Sequence, residues 1–215
     1  MASTLAGRVL AGMTNSRAAD VARAKALVDQ ALATSPRSTF AHFAKGQLLR
    51  TEGRCEEAIP EFELVIRSNP NGAGAFFALG VCKMQSGAIE ATIPLEEQAI
   101  RLSPRDPDIF NRYLVIGQVH LLQSRTEEAI VWLEKARSAN STSPYPHAWL
   151  ASAYGLKNNL ERARAELIEA RKLLGGNSFS SLTAMRSRPR AVPALRELYE
   201  ATFFVGLRKA GVPEE

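Results

Sequence analysis

The sequence predicts an all-α chain built of stacked helix pairs and closed by one further helix at its C-terminal end. Gly12, Gly46 and Gly80 stand 34 residues apart, and Pro36, Pro70 and Pro104 share that spacing. Ala24 and Ala58 follow the same period, which resumes after a shift at Ala129 and Ala163. Three kinds of position with one period mark an internal repeat, and between the markers apolar residues recur at helical spacing.

The first repeat, about residues 4–37, is the weakest copy, keeping Gly12, Ala24, Ala31 and Pro36, as a terminal repeat should. The second, 38–71, is the plainest. Its first helix is expected from about Ser38 to Thr51, with Gly53 at its C-terminal end, where a left-handed residue is needed. Its second runs from about Glu56 to Arg67, with Ala58, Phe62, Val65 and Ile66 on one face, until Pro70 stops it. Gly46 and Ala58 are small, so the two helices can cross closely. The third repeat, 72–108, keeps Phe76, Leu79, Gly80, Gly87, Ala99 and Pro104, but Thr92 replaces the small Ala. Pro60 and Pro94 hold equivalent places early in the second helices, where slight bends are expected.

From Gly80 to Gly117 is 37 residues, so three extra residues enter within SPRDPDIF (Ser103 to Phe110), stiffened by Pro104 and Pro107. The fourth repeat, 109–143, supplies Tyr113, Gly117, Ala129, Leu133 and Ala136, with Ser141 in place of the closing Pro. The fifth, 144–175, supplies Leu150, Tyr154, Ala163, Leu167 and Ala170. Residues 176–215 read as a joint (GGNSFSS), a short helix (SLTAMRS) and a last helix from Pro193 to about Lys209. Leu195, Leu198, Tyr199, Phe203 and Leu207 give this helix an apolar stripe, fit to cover the exposed face of the fifth repeat.

These positions resemble the tetratricopeptide repeat, over roughly residues 4–175. The resemblance implies a right-handed superhelix (an α-α solenoid) of about five helix pairs plus a C-terminal capping helix, and a module that binds proteins. Two phrases, AIRLSPRDPDIF and LYEATFFVGLRKAGVPEE, look like the C-terminal repeat region of bacterial adenylate/guanylate cyclases that carry such repeats. That second resemblance implies a signalling protein with a catalytic domain upstream, and a cis-regulatory or self-association role for this tail. The metal-binding aspartates and nucleotide-recognition segment of a cyclase have no counterpart here.

Composition excludes several classes. Of 215 residues, 46% are hydrophobic and 23% charged, which is globular rather than disordered. The sequence has no apolar run long enough for a membrane span. The opening MASTLAGRVLAGM, with Arg8 inside its apolar stretch, is a poor secretory signal, so the expected compartment is a reducing cytoplasm. Cys55 and Cys82 make neither a disulfide framework nor a zinc site. His42, His120 and His147 fall at helix-packing positions. The pairs Glu56/Glu57, Glu96/Glu97 and Glu127/Glu128 read as solvated faces and helix-dipole partners. Gly175-Gly176 lacks the Lys-Ser of a phosphate loop. No catalytic residue, metal site or cofactor is expected.

Two binding surfaces are expected instead. The first helices of the pairs line a groove with Phe43, Gln47, Arg50, Phe77, Val81, Met84, Leu114, Gln118 and Leu121, followed by Ala148 and Ser152. Its apolar character suits an amphipathic helix or extended peptide, and the chain's own C-terminal helix is an alternative occupant. Relatives that capture a terminal carboxylate place a Lys where this chain has Phe43, Phe77, Leu114 and Ala148, so that use is disfavoured. The second surface is basic: residues 157–209 hold eleven Lys or Arg against five Glu. Arg162, Arg164, Arg171, Lys172, Arg186, Arg188 and Arg190 suit nucleic acid, an anionic membrane surface or an acidic domain, against a plain solvated face. A second copy of the chain, as a homodimer, is a further candidate partner.

Overall fold

A computed structural model describes residues 1–10, 13, 15–175, 180–186 and 192–215. Gly12, Phe179, Arg188 and Arg190 lie outside the described residues. The chain divides into two compact units, Met1–Leu102 and Ser103–Glu215, and the division falls at the three-residue insertion.

The first unit contains α1 (Ala2–Leu10), α2 (Arg17–Thr34), α3 (Thr39–Thr51), α4 (Cys55–Ser68), α5 (Ala73–Gln85), a single 3-10 turn (Ile89–Ala91) and α6 (Thr92–Leu102). The second contains α7 (Ile109–Leu122), α8 (Thr126–Ala139), α9 (Pro144–Leu156), α10 (Leu160–Leu174), α11 (Leu182–Arg186), α12 (Pro193–Ala201) and α13 (Phe203–Ala210). The all-helical, paired class is as the repeat predicts, and the short helix after residue 180 is present as α11.

Close crossing at the small residues holds each pair together. A Cβ at Gly46 would lie 2.6 Å from the Phe62 ring, and one at Gly117 would lie 2.7 Å from Leu133 Cγ. Any side chain there forces α3 from α4, or α7 from α8. The third pair uses different chemistry at the same place. Glu96 takes the position of Phe62 and Leu133, and a Cβ at Gly80 would lie 2.4 Å from its Oε1. The solvated role expected for Glu96 is therefore overturned, since its side chain is 0% exposed. Thr92, also buried, donates its hydroxyl to the Gly80 carbonyl at 3.3 Å.

The turn inside each pair needs one left-handed residue. Gly53 (φ 75°) and Gly87 (φ 86°) supply it in pairs two and three. Pairs four and five use Ser124 (φ 61°) and Asn158 (φ 57°) at the equivalent places. Ser38 caps α3, its side chain accepting from the Ala41 amide at 3.3 Å. Pro60 stands inside α4. Pro94 instead falls in the first turn of α6, which begins after the 3-10 turn, so the third pair restarts its second helix there.

Two histidines clasp their own pairs. His42 Nδ1 lies 2.6 Å from Glu61 Oε2, while its Nε2 meets the Pro36 carbonyl at 2.9 Å. His147 Nδ1 likewise lies 2.6 Å from Glu166 Oε2. Glu61 also accepts from Lys45 at 2.6 Å. Burial raises the Glu61 carboxyl, but hydrogen bonds from Lys45 and His42 outweigh it and hold it below the ordinary carboxylate range.

The single C-terminal helix expected from Pro193 to Lys209 is in fact two. Thr202 leaves helical geometry (φ −125°, ψ −76°), and its hydroxyl donates to the Leu198 carbonyl at 2.6 Å. That break lets α13 take its own direction against α9 and α10, while α12 reaches α7.

Candidate protein-binding surface

The groove residues fall into separate sets, one in each unit. In the first unit, α3 presents Phe40, Phe43, Gln47 and Arg50 along one stripe, and α5 presents Phe77 beside it. Phe43 is half-buried, its ring meeting Phe62 edge-on at 5.8 Å. Arg50 donates to Gln47 Oε1 at 2.6 Å, and its guanidinium lies over the Phe77 ring, 5.7 Å from the centroid. Burial pulls Arg50 below the ordinary arginine range, opposed by the neighbouring Cys82, Cys55 and Glu96. Arg50 thus ties α3 to α5 by a cation–π contact and leaves a surface both aromatic and cationic.

Phe40 was not singled out by the sequence pattern, yet it is 84% exposed, the most solvent-exposed phenylalanine among the described residues. Tyr145 holds the equivalent place in α9 and is also exposed. Their signal was legible: both occupy the second position of a first helix, one turn before the expected groove. Val81, Met84, Leu114 and Leu121 are buried, so their side chains serve packing. Gln118 is half-buried.

In the second unit the corresponding face of α9 is occupied. Ser152 and Gly155 are the register equivalents of Gln47 and Arg50, and both lie under α13. Ser152 Oγ donates to the Phe203 carbonyl at 2.8 Å. Phe203 stacks at 4.2 Å on Trp149, which Tyr199 meets edge-on at 5.6 Å. Phe203, Phe204, Leu207 and Ala210 are buried. The tail then turns back: the Leu182 amide donates to the Pro213 carbonyl at 2.9 Å and the Thr183 amide to the Glu214 carbonyl at 3.0 Å.

Arg186, Arg162 and Lys172 of the basic set are engaged within the chain. Arg186 donates to both Glu200 oxygens, at 2.7 and 2.9 Å, and also pairs with Glu214. Arg162 donates to the Tyr154 hydroxyl at 3.3 Å and lies over that ring. Lys172 pairs with Glu169 at 3.3 Å. Arg164 and Arg171 share α10 with them. Among the described residues no helix is long and apolar enough to cross a membrane, and no group of three metal-ligating side chains forms.

Comparison with known proteins agrees with the helix pairs. The tetratricopeptide repeat family profile matches residues 10–73 and 43–107. No curated protein sequence matches the chain. Among solved structures, PilF of Pseudomonas aeruginosa superposes with a TM-score of 0.69 at 18% identity, covering 97% of this chain and 86% of its own. PilW, described as a widely conserved type IV pilus biogenesis factor, gives 0.70 at 17% identity, covering 96% and 95%. MamA gives 0.61 at 19% identity, covering 73% and 90%. At these identities the likeness is one of fold.

Proposed function

We propose that this chain, a tetratricopeptide-repeat protein, is a non-catalytic binding module that holds an amphipathic helix of a partner protein on the α3–α5 face of its first unit. One observation carries the reading: the same register face, on α9, already holds a helix, and that helix is the chain's own α13. In the first unit the equivalent face presents Phe40, Phe43, Gln47, Arg50 and Phe77. An aromatic anchor strip beside a desolvated arginine is the composition found at energetic centres of protein interfaces. The arginine favours a partner helix carrying an acidic residue among its apolar ones.

Affinity capture from the source lysate tests this, comparing wild type with Phe40→Glu and Arg50→Glu at low and high salt. Capture lost in both variants while the helical circular dichroism stays intact supports the face; capture indifferent to both overturns it. Retention that depends only on salt moves binding to the basic residues of α10 and α11.

The resemblance of the 99–110 and 198–215 phrases to cyclase C-terminal regions supports a variant of this reading, in which the occupant belongs to the parent chain or to a second copy. An in-frame stop immediately upstream of Met1 in the native gene would remove the parent-chain form.

A further inference from the structure

The only two cysteines of the sequence, separated by 27 positions, are brought together in the first unit with their Sγ atoms 2.8 Å apart. Cys55 is the first residue of α4 and Cys82 lies within α5. Both are buried, packed with Phe62, Ala78 and Leu79. The contact is closer than two non-bonded sulfurs ordinarily pack, and it is directional: the Cys82 thiol donates to Cys55, and the Cys55 thiol donates to Gln85 Oε1 at 3.0 Å. The sequence pattern gave no sign of this, because the residues occupy different positions of different repeats.

We propose that Cys55 and Cys82 form an oxidisable pair, which a two-electron oxidant of the hydroperoxide class converts to an intrachain disulfide joining the second helix pair to the third. Cys55 is the attacking sulfur. It opens a helix, where the amide dipoles favour a thiolate, and it stands two residues after the left-handed turn at Gly53. The hydrogen bond from Cys82 holds the Cys55 thiol below its ordinary range despite burial, and Arg50 acts in the same direction. Cys82 is displaced the other way, by that hydrogen bond and by burial, which suits the resolving partner.

The chemistry balances in two steps. The Cys55 thiolate attacks the distal peroxide oxygen; an S–O bond forms, the O–O bond breaks, and the departing hydroxide or alkoxide takes a proton. Cys82 then gives up its proton and attacks the Cys55 sulfur; an S–S bond forms, the S–O bond breaks, and water leaves. Two thiols have lost two electrons and two protons, and the peroxide has been reduced to water and water or alcohol.

The test uses the full-length folded protein, treated with graded hydrogen peroxide, then unfolded in an alkylating agent and weighed intact. The expected result is a monomer lighter by two hydrogens, taking up no alkyl group, giving a linked Cys55–Cys82 peptide and reverting with dithiothreitol. Its melting temperature should rise by several degrees, because the link restrains the unfolded chain. Cys82→Ala should leave a sulfenic acid on Cys55 that dimedone traps, and should abolish the mass loss. Both cysteines alkylating in full after peroxide, only intermolecular links, or linkage confined to urea-unfolded protein would each overturn the proposal. The wild-type mass shift decides the matter even if Cys82→Ala fails to fold.

Discussion

Gly155 of α9 and Gly206 of α13 meet backbone to backbone: a Cβ on Gly155 would lie 2.2 Å from the Gly206 carbonyl oxygen, and one on Gly206 would lie 2.1 Å from that of Ser152. No rotamer relieves a clash with backbone, so the approach of α13 depends on the absence of both side chains. Gly206→Leu should therefore push α13 off α9, costing about 1–3 kcal/mol in urea denaturation. Trp149 should become solvated as Phe203 leaves it, visible as a red-shifted emission. An unchanged spectrum with unchanged stability would show that α13 is not seated by this contact.

Glu96 occupies a helix-crossing position that its counterparts fill with Phe62 and Leu133. Holding a carboxylate away from water costs more than placing a branched apolar group of similar volume. Glu96→Leu should raise the unfolding free energy by about 1–2 kcal/mol. A loss of stability would mean that contacts to the carboxylate outweigh its desolvation.

Ser124 carries a left-handed backbone that glycine adopts without a Cβ penalty. Ser124→Gly should stabilise by about 0.5–1 kcal/mol, and Gly53→Ala should destabilise by a similar amount. The pair of thermal melts checks both; a Gly53→Ala protein as stable as wild type would argue against a φ-controlled turn.

Glu61, held below the ordinary carboxylate range, contributes stability above its unfolded pKa and loses it as pH falls through its lower folded value. Glu61→Gln should cost about 0.5–1 kcal/mol near neutrality, where Lys45 and the carboxylate are both charged. The gap between the two proteins should close on acidification below about pH 4, as wild type protonates. Denaturation across that range measures it, and a gap constant with pH would remove Glu61 from the account.

Much of this was legible in the residues, because the 34-residue period records the helix crossings directly: Gly46, Gly80 and Gly117 each predict a large partner sixteen residues on. The same register pairs Glu96 with Gly80, whereas the local pattern of adjacent glutamates points to helix-dipole partners. Long-range geometry was harder. Ser152 meets Phe203 and Cys55 meets Cys82 because of how helices stack, and periodicity within one repeat holds no information on that. Thr202 breaks the last helix although Leu195, Leu198, Tyr199, Phe203 and Leu207 fit one apolar stripe, since docking of α13 on α9 outweighs continuity.

The pairing of α9 with α13 also fixes an order of events during synthesis. Ser152 and the carbonyl it bonds are 51 residues apart, so at ribosomal speeds α9 waits roughly 3–10 s for its cover to be made. The clasps of His42 with Glu61 and His147 with Glu166 span only 19 residues each and close early. For that interval the nascent chain offers Trp149 to any amphipathic helix at hand, a neighbouring polysome's α13 included. Whether α13 folds onto its own chain or another is then a contest between translation rate and local concentration.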